Sequence, residues 1–407
     1  MLYNPDDMLL MMKDRLVMAI NFDEGKYYIF DNNLLPFDLK GRIQEPYPEK
    51  ETYTKYDITQ MNIISRKNYS AVLSFLSHRV LPITRANAKK IYSLFGFEQG
   101  QSEIDKAKIA IVCRAVSLQD NYWLTTGKDL TIWDEVNLRT NSLSEIVAQV
   151  ALHGTSLSLT GTPTTPELTS LGAYAKAWVR EPDGLYLHKL GSDRMTDDGP
   201  VTGVWESKIE VMVSKLLDKC NVSHLKYEEG HSINSRTLEE VYTCKCKCMT
   251  SEDISILSGM DFNSYCNVHG IDPYKEAIRI DPEGIYKMWI VDYLISNRDR
   301  HGLNWGFFYD CNTMEIIGCH PLYDHNNSFD IQTMEDRDRE YLYDQRMTMR
   351  QAAKFAMSEV DFHFTSEITR SDFLTDRQYK EFMWRAKDLG IETKSDFLSG
   401  ISAMTSI

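Results

Sequence analysis

Long apolar runs are missing from this chain of 407 residues. No stretch approaches the ~18 residues a membrane-spanning helix needs. The opening stretch MLYNPDDMLLMMKDRLVMAI places Asp6 and Asp7 early and Lys13, Asp14 and Arg15 inside its apolar part, which breaks the core of a signal peptide. A cytoplasmic location is expected by elimination. Basic charge is also short: 45 Lys and Arg stand against 59 Asp and Glu, a net charge of −14. That sign disfavours bulk binding to nucleic acid or to an anionic membrane surface, so neither is expected as a direct partner. Paired C-x-x-C motifs are absent among the eight cysteines. Cys244, Cys246 and Cys248 instead alternate with Lys245 and Lys247, the period of a strand with one face inward rather than of a metal site. Free thiols suit a reducing compartment. Apolar residues, by contrast, make up 43% of the chain, with 22 Tyr and 16 Phe, enough to build a sizeable core and to set disorder aside.

The pattern divides the chain into three parts. Residues 1–153 read as an extension of unknown role: short apolar runs broken by Pro36, Pro46 and Pro48, a strand around Tyr27–Phe30, and a helical hairpin over 61–97 split near Pro82. Thr84 is a fair N-cap for its second helix and Gly96 a fair stop. The aromatic-rich stretch 117–138 is expected to pack on a core. Residues 154–172 are rich in Gly, Ser, Thr and Pro and nearly uncharged, the composition of a loop at a domain boundary. From 154 to 250 we expect strands over 173–179 and 184–191 joined by a turn at Glu181–Gly184, then a helix with Ile209, Met212, Val213, Leu216 and Leu217 on one face, then strands over 224–230 and 242–249. From 251 to 407 the pattern is mostly helical, for example over 341–358 and 375–390. Thr250–Asp253 looks like a capping pattern for a helix, and Asp281-Pro282-Glu283 opens another with Pro at its first position. A hairpin follows, built from GFFYD and its return strand NTMEIIGCH.

The residues that carry chemistry follow the second of those helices. Asp299-Arg300-His301-Gly302-Leu303-Asn304 has the D-x-x-x-x-N spacing with which a loop can present one carboxylate to a hydroxyl proton and turn an amide back toward Mg²⁺. Asp324, after the return strand, adds the second hard oxygen ligand. Alone, D-x-x-x-x-N occurs often by chance in solvated loops. The apolar helix before it, the aromatic strand after it and the second Asp raise its weight. His301 reads as an organiser of the loop rather than as a general base.

The longer run Asp292-Tyr293-Leu294-Ile295-Ser296-Asn297-Arg298-Asp299-Arg300-His301-Gly302-Leu303-Asn304 resembles the D-x-L-x-x-N-x-D-R-H-x-x-N pattern of HipA-like Ser/Thr protein kinases, and Pro321-Leu322-Tyr323-Asp324 with Ser328-Phe329 resembles that family's metal-binding Asp segment. The resemblance covers about residues 155–390. It implies an α+β, two-lobed protein-kinase-like fold, here with an additional mostly helical N-terminal region that looks like the extension of clostridial-type relatives. It also implies ATP and Mg²⁺ as cofactors, with the N-lobe over 154–250 and the C-lobe over 251–407. Asp299, Asn304 and Lys189 would be catalytic, with Asn304 and Asp324 holding the metal. Lys189, in Tyr186-Leu187-His188-Lys189, matches the strand lysine at the phosphates, with Lys176 as its rival. Glu210 would pair with it, Glu206 being the runner-up. Thr169-Ser170-Leu171-Gly172-Ala173-Tyr174-Ala175-Lys176 resembles the S-x-x-G-A-Q-x-K phosphate loop, with Gly172 admitting the backbone to the nucleotide and Thr169 or Ser170 as the autophosphorylation position. Backbone groups around Cys248 and Met249 would meet adenine.

Departures are plain. G-x-G-x-x-G, H-R-D and D-F-G are absent, and Arg298 stands where the family usually has Thr. The partners so implied are a protein with a Ser or Thr acceptor and, because some HipA-like kinases are toxins of toxin–antitoxin pairs, an antitoxin or regulatory protein. The alternatives are a nucleotide-binding pseudokinase or scaffold, and a kinase-fold enzyme acting on a lipid or small molecule.

Overall fold

The computed structural model describes residues 4–44, 52, 54–97, 102–161, 164–196, 199–330 and 347–391. The chain opens with strands β1 (Met8–Met12), β2 (Arg15–Asn21) and β3 (Lys26–Ile29), joined later by β4 (Tyr122–Thr126) in an antiparallel sheet of order β3-β2-β1-β4. Val17, Met18, Ala19 and Ile20 are all buried, so β2 has no polar face. A run that is apolar on both faces gives no alternation, and the first two strands are therefore not separable by pattern from a short buried helix. Among the described residues this region also holds helices α1 (Phe37–Lys40), α2 (Lys55–His78), α3 (Ala88–Leu94), α4 (Glu103–Val112), α5 (Trp133–Val136) and α6 (Glu145–His153). The expected hairpin is α2 and α3, but α2 begins at Lys55, capped by Thr54 and Asp57. Thr84 is not the cap of α3. Asn87, in the left-handed conformation, precedes it, because residues 81–86 form a turn with other bonds to make.

The second sheet has the order β5-β6-β10-β9, all antiparallel. β5 (Lys176–Glu181) and β6 (Gly184–Lys189) close on the Glu181↔Gly184 turn. After the small β7 (Arg194–Thr196) and β8 (Gly199–Val201) ribbon comes α7 (Trp205–Lys219). Its apolar face packs under β9 (Tyr227–Ile233) and β10 (Glu240–Lys247). On β10, Cys244 and Cys246 are buried while Lys245 and Lys247 point the other way, making ion pairs with Glu181 and Asp183. The alternation is therefore that of a strand.

Thr250–Asp253 does not open a helix. It leads into β11 (Ile254–Ser258), which pairs with β12 (Gly306–Asp310), and β12 with β13 (Ile316–Cys319). The true cap is Ser258, whose hydroxyl accepts from Asp261 N at the start of α8 (Gly259–Val268). α9 (Pro273–Ile280) and α10 (Pro282–Leu294) follow. Asp281 caps α10 by accepting from Gly284 N, and every residue of α10 from Met288 to Leu294 is buried. α11 (Met349–Glu359) and α12 (Asp376–Asp388) pack on it. Of the helix expected over 341–358, residues 341–346 lie outside the described residues. Among the described residues no helix is long and apolar enough to cross a membrane. A small β-rich layer thus stands beside a larger helical one, with α10 and the β12–β13 hairpin delivering their loops to the junction.

Candidate active site

Pairing across the second sheet places two lysines side by side: Lys176 on β5 is directly opposite Lys189 on β6. Like charges facing each other on neighbouring strands repel, so each needs a separate solution. Lys189 has an anionic one. Its buried Nζ donates to Glu210 Oε1 at 2.7 Å, Asp324 Oδ1 at 2.9 Å and the Tyr227 hydroxyl at 2.9 Å. Burial opposes its charge, yet Asp324 and Glu210 outweigh burial and raise it well above the ordinary lysine value. Lys176 makes no such bond among the described residues. Burial, and then the nearby charge of Arg85, lowers it to about 7, against the pull of Asp324. Glu206, the runner-up for the helix partner, is bound elsewhere, accepting from Ser192 N and Oγ at 2.6 and 2.9 Å.

The opposite wall comes from the loop after α10. Arg300 is 1% exposed and its guanidinium organises the wall. It holds the fully buried Asp292 through both carboxylate oxygens, at 3.0 and 2.9 Å, and donates through one nitrogen to Asn304 O and Tyr323 O, each at 2.7 Å. One guanidinium nitrogen therefore ties together the backbones that precede Asp324 and carry Asn304. Its other arm donates to His325 Nδ1 at 3.0 Å, which fixes the buried imidazole with its proton on Nε2. Burial and the Arg300 charge keep His325 neutral, well below the usual histidine value. The His325 amide donates to Glu210 Oε2 at 2.9 Å, so Glu210 bridges Lys189 to the segment after Asp324.

Within this frame Asp299, Asn304 and Asp324 converge. The Asn304 amide nitrogen donates to Asp299 O at 2.9 Å, and its Oδ1 accepts no protein donor among the described residues. Asn327 Nδ2 donates to Asp299 Oδ2 at 2.7 Å, and Asn326 Nδ2 to Asp324 Oδ1 at 3.2 Å. Burial would raise the Asp324 carboxyl, but Lys189 and Lys176 prevail and hold it well below the usual carboxylate range. Its backbone sits at φ +61°, a strained value for a non-glycine residue. His301 is exposed, and its Nδ1 accepts from Leu303 N at 3.2 Å, so it organises the loop.

The remaining residues are placed as follows. Gly172 has φ +95°, and a Cβ there would collide with the Lys176 ammonium, so the loop needs glycine at this point. Thr169 is buried and donates to Val116 O at 2.9 Å, and Ser170 donates to Pro166 O at 2.7 Å, so neither hydroxyl is presented to the junction in this conformation. The Cys248 N–H is already bonded to Leu185 O at 2.8 Å, so it is not the donor an adenine would use. Met249, next to it, is partly exposed. Sequence reasoning assigned no role to Tyr227, Asn327 or the Asp292–Arg300 pair. The pair carries a signal, D-x₇-R across a helix end, that means a buried bridge only once the loop is known to fold back.

A buried strand lysine paired to a helix glutamate faces a D-x-x-x-x-N loop and a second aspartate across a junction between a sheet layer and a helical layer. The architecture is α+β, a β-rich layer beside a larger helical one. Solved structures to which the chain is similar include the Helicobacter pylori proinflammatory kinase CtkA, with TM-score 0.39 and 14% identity, over 55% of this chain and 91% of that one. Another is HipA of Shewanella oneidensis MR-1, from a toxin–antitoxin complex with HipB and operator DNA, with TM-score 0.44 and 11% identity, over 94% and 95% of the two chains. No protein-family model and no curated protein matches the chain.

Among the described residues no group of three or more His, Cys, Asp or Glu is placed to hold a metal ion. A site for Mg²⁺ of the kinase type does not need one. It uses few protein oxygens and completes its shell with phosphate and water. Asn304 Oδ1 and Asp324 Oδ2 are hard oxygens to which no protein donor is bonded among the described residues. The donor set fits.

Proposed function

We propose that the chain is an ATP- and Mg²⁺-dependent protein kinase that transfers a phosphoryl group to a serine or threonine hydroxyl. The observation that supports this most directly is the convergence on one junction of the Lys189–Glu210 pair, Asp324 and the Asp299–Asn304 loop. In this reading Lys189, held by Glu210, positions the phosphates. Asp324 is positioned by Lys189 and Asn326, and together with Asn304 it would hold Mg²⁺, which when bound neutralises charge on the phosphates. Asp299, oriented by Asn327, accepts the hydroxyl proton. Gly172 and Lys176 line the phosphate loop. A protein acceptor is favoured over a membrane lipid by the net charge of −14, which repels an anionic surface. By the motif resemblance, autophosphorylation at Thr169 or Ser170 and action as a toxin with an antitoxin partner belong to the same reading. The first requires the loop to release the two hydroxyls.

The test is transfer of ³²P from labelled ATP to the protein itself or to a generic Ser/Thr substrate. Asp299→Asn should reduce turnover about 10²–10⁴-fold, the usual contribution of a positioned base, while nucleotide affinity stays near that of the wild type. Turnover unchanged in Asp299→Asn would remove the role given to this carboxylate.

A further inference from the structure

The loop that carries Gly172 and Lys176 is bonded at five points to residues more than 50 positions earlier in the chain. Leu81 N donates to Leu168 O at 2.6 Å and Ala86 N to Ala173 O at 2.8 Å. Arg85 Nη1 donates to Ser170 O at 3.1 Å and Nη2 to Lys176 O at 2.6 Å. From the loop side, Thr169 Oγ1 donates to Val116 O at 2.9 Å. These five bonds fall on residues 168, 169, 170, 173 and 176, almost every turn of the loop. Four of them come from the turn over 81–86, and α3 starts three residues later than its Thr84 signal.

Arg85 is the centre of the arrangement. It is buried and makes no ion pair among the described residues, since its fork is given to two backbone carbonyls and its Nε has no partner. Burying an arginine in this way is costly. Its pKa falls to about 10 through burial, with only partial relief from Glu167. Glu167 is itself buried and is used locally, accepting from Trp178 N at 2.9 Å and from the Thr165 hydroxyl. A side chain wanted only for packing would not need to be charged here.

We infer that residues 81–86 are a built-in clasp that sets the conformation of the 168–176 loop for nucleotide, with Arg85 as a positioning residue that acts through the loop and through Lys176. The first 153 residues then belong to the nucleotide site rather than standing beside it. The inference rests on the reading of this loop as the phosphate loop. Lys176 is faced by Arg85 from the 81–86 turn, Lys189 from β6, Glu210 from α7 and Asp324 from the loop after β13. Loss of the Arg85 charge therefore lets Lys176 keep its proton to higher pH.

The experiment uses the full chain with Arg85→Gln, Arg85→Lys and, as a mild variant that removes one loop bond without touching a buried charge, Thr169→Val. Hydrogen–deuterium exchange should quicken in 168–176 in all three and leave α10 unchanged. Apparent KM for ATP should rise about tenfold or more in Arg85→Gln with kcat within about threefold, the split expected when binding geometry rather than chemistry is lost. The pH at which ATP affinity declines should move upward in Arg85→Gln but not in Arg85→Lys. Unchanged loop exchange overturns the clasp whatever ATP does. Faster exchange with unchanged KM overturns its role toward nucleotide. If the wild type binds no Mg·ATP, the site reading itself falls and this role for Arg85 with it.

Discussion

Replacing Arg300 with Met should unfold or nearly unfold the protein, and the size of the effect can be worked from its bonds. Arg300 is 1% exposed and its partner Asp292 is 0% exposed. Removing one member of a buried ion pair costs about 3–5 kcal/mol, because the other charge is left in a medium that cannot solvate it. Asn297 Nδ2, which donates to Asp292 Oδ1 at 3.0 Å, offsets a part of that. Two carbonyls, of Asn304 and Tyr323, also lose their charged donor, at roughly 1–3 kcal/mol each if water cannot reach them. The total, about 5 kcal/mol or more, stands against a whole-domain stability of about 5–15 kcal/mol. Urea denaturation followed by tryptophan fluorescence would measure it, with Arg300→Lys as the charge-retaining comparison. The lysine variant should also be destabilised, because a single ammonium cannot reach the five acceptor atoms that a planar fork reaches together. The double variant Arg300→Met with Asp292→Leu should recover part of the loss. A midpoint for Arg300→Met that implies less than about 1 kcal/mol of destabilisation would refute the view that this guanidinium holds the wall together.

Lys176→Met should raise the melting temperature while weakening ATP binding, because the fold holds this ammonium where burial and Arg85 disfavour its charge. The sign follows from its pKa, lowered from 10.5 to about 7. Between those values the unfolded chain binds the extra proton, so the wild type gains stability as pH rises from 7 toward 10.5 and carries the full penalty below 7. The variant's advantage should therefore be largest at pH 6 and shrink by pH 10, and an advantage that grows with pH would contradict the argument. Asp388 accepts from Arg350 on α11 and from Tyr293 on α10, and the Arg350 bond and charge hold its carboxyl well below the usual aspartate range. Its contribution is present above the ordinary aspartate value and lost as pH falls below it. Asp388→Asn should thus lower the urea midpoint at pH 7, and its deficit should narrow from about pH 4 downward.

Much of the site could be read from the chain because its residues are close in sequence. The cap at Asp281, Pro282 at the first turn, the apolar helix and the D-x-x-x-x-N loop form one continuous segment, and each step carries its own local rule. Lys189 and Glu210 were reached only through the motif resemblance, and the two side chains are buried and paired with each other. The misses have physical causes. β1 and β2 are apolar on both sides and show no period. Thr250–Asp253 has the composition of a cap, but Ser251 Oγ accepts from Asp253 N and Ile254 N in a turn that feeds a strand. Thr84 gave way as a cap because the 81–86 turn bonds to residues 168–176, a pairing across some 85 residues that no local pattern encodes.

The central claim is that Asp324 and Asn304 serve one divalent ion bearing ATP beside Lys189. Titration calorimetry of ATP into the full chain, with and without Mg²⁺, tests it most directly, using the wild type and Asp324→Ala. Binding by the wild type that strengthens with Mg²⁺, together with loss of that Mg²⁺ effect in Asp324→Ala, is the predicted result. Wild-type affinity that does not respond to Mg²⁺, or a Mg²⁺ effect of full size in Asp324→Ala, would contradict it.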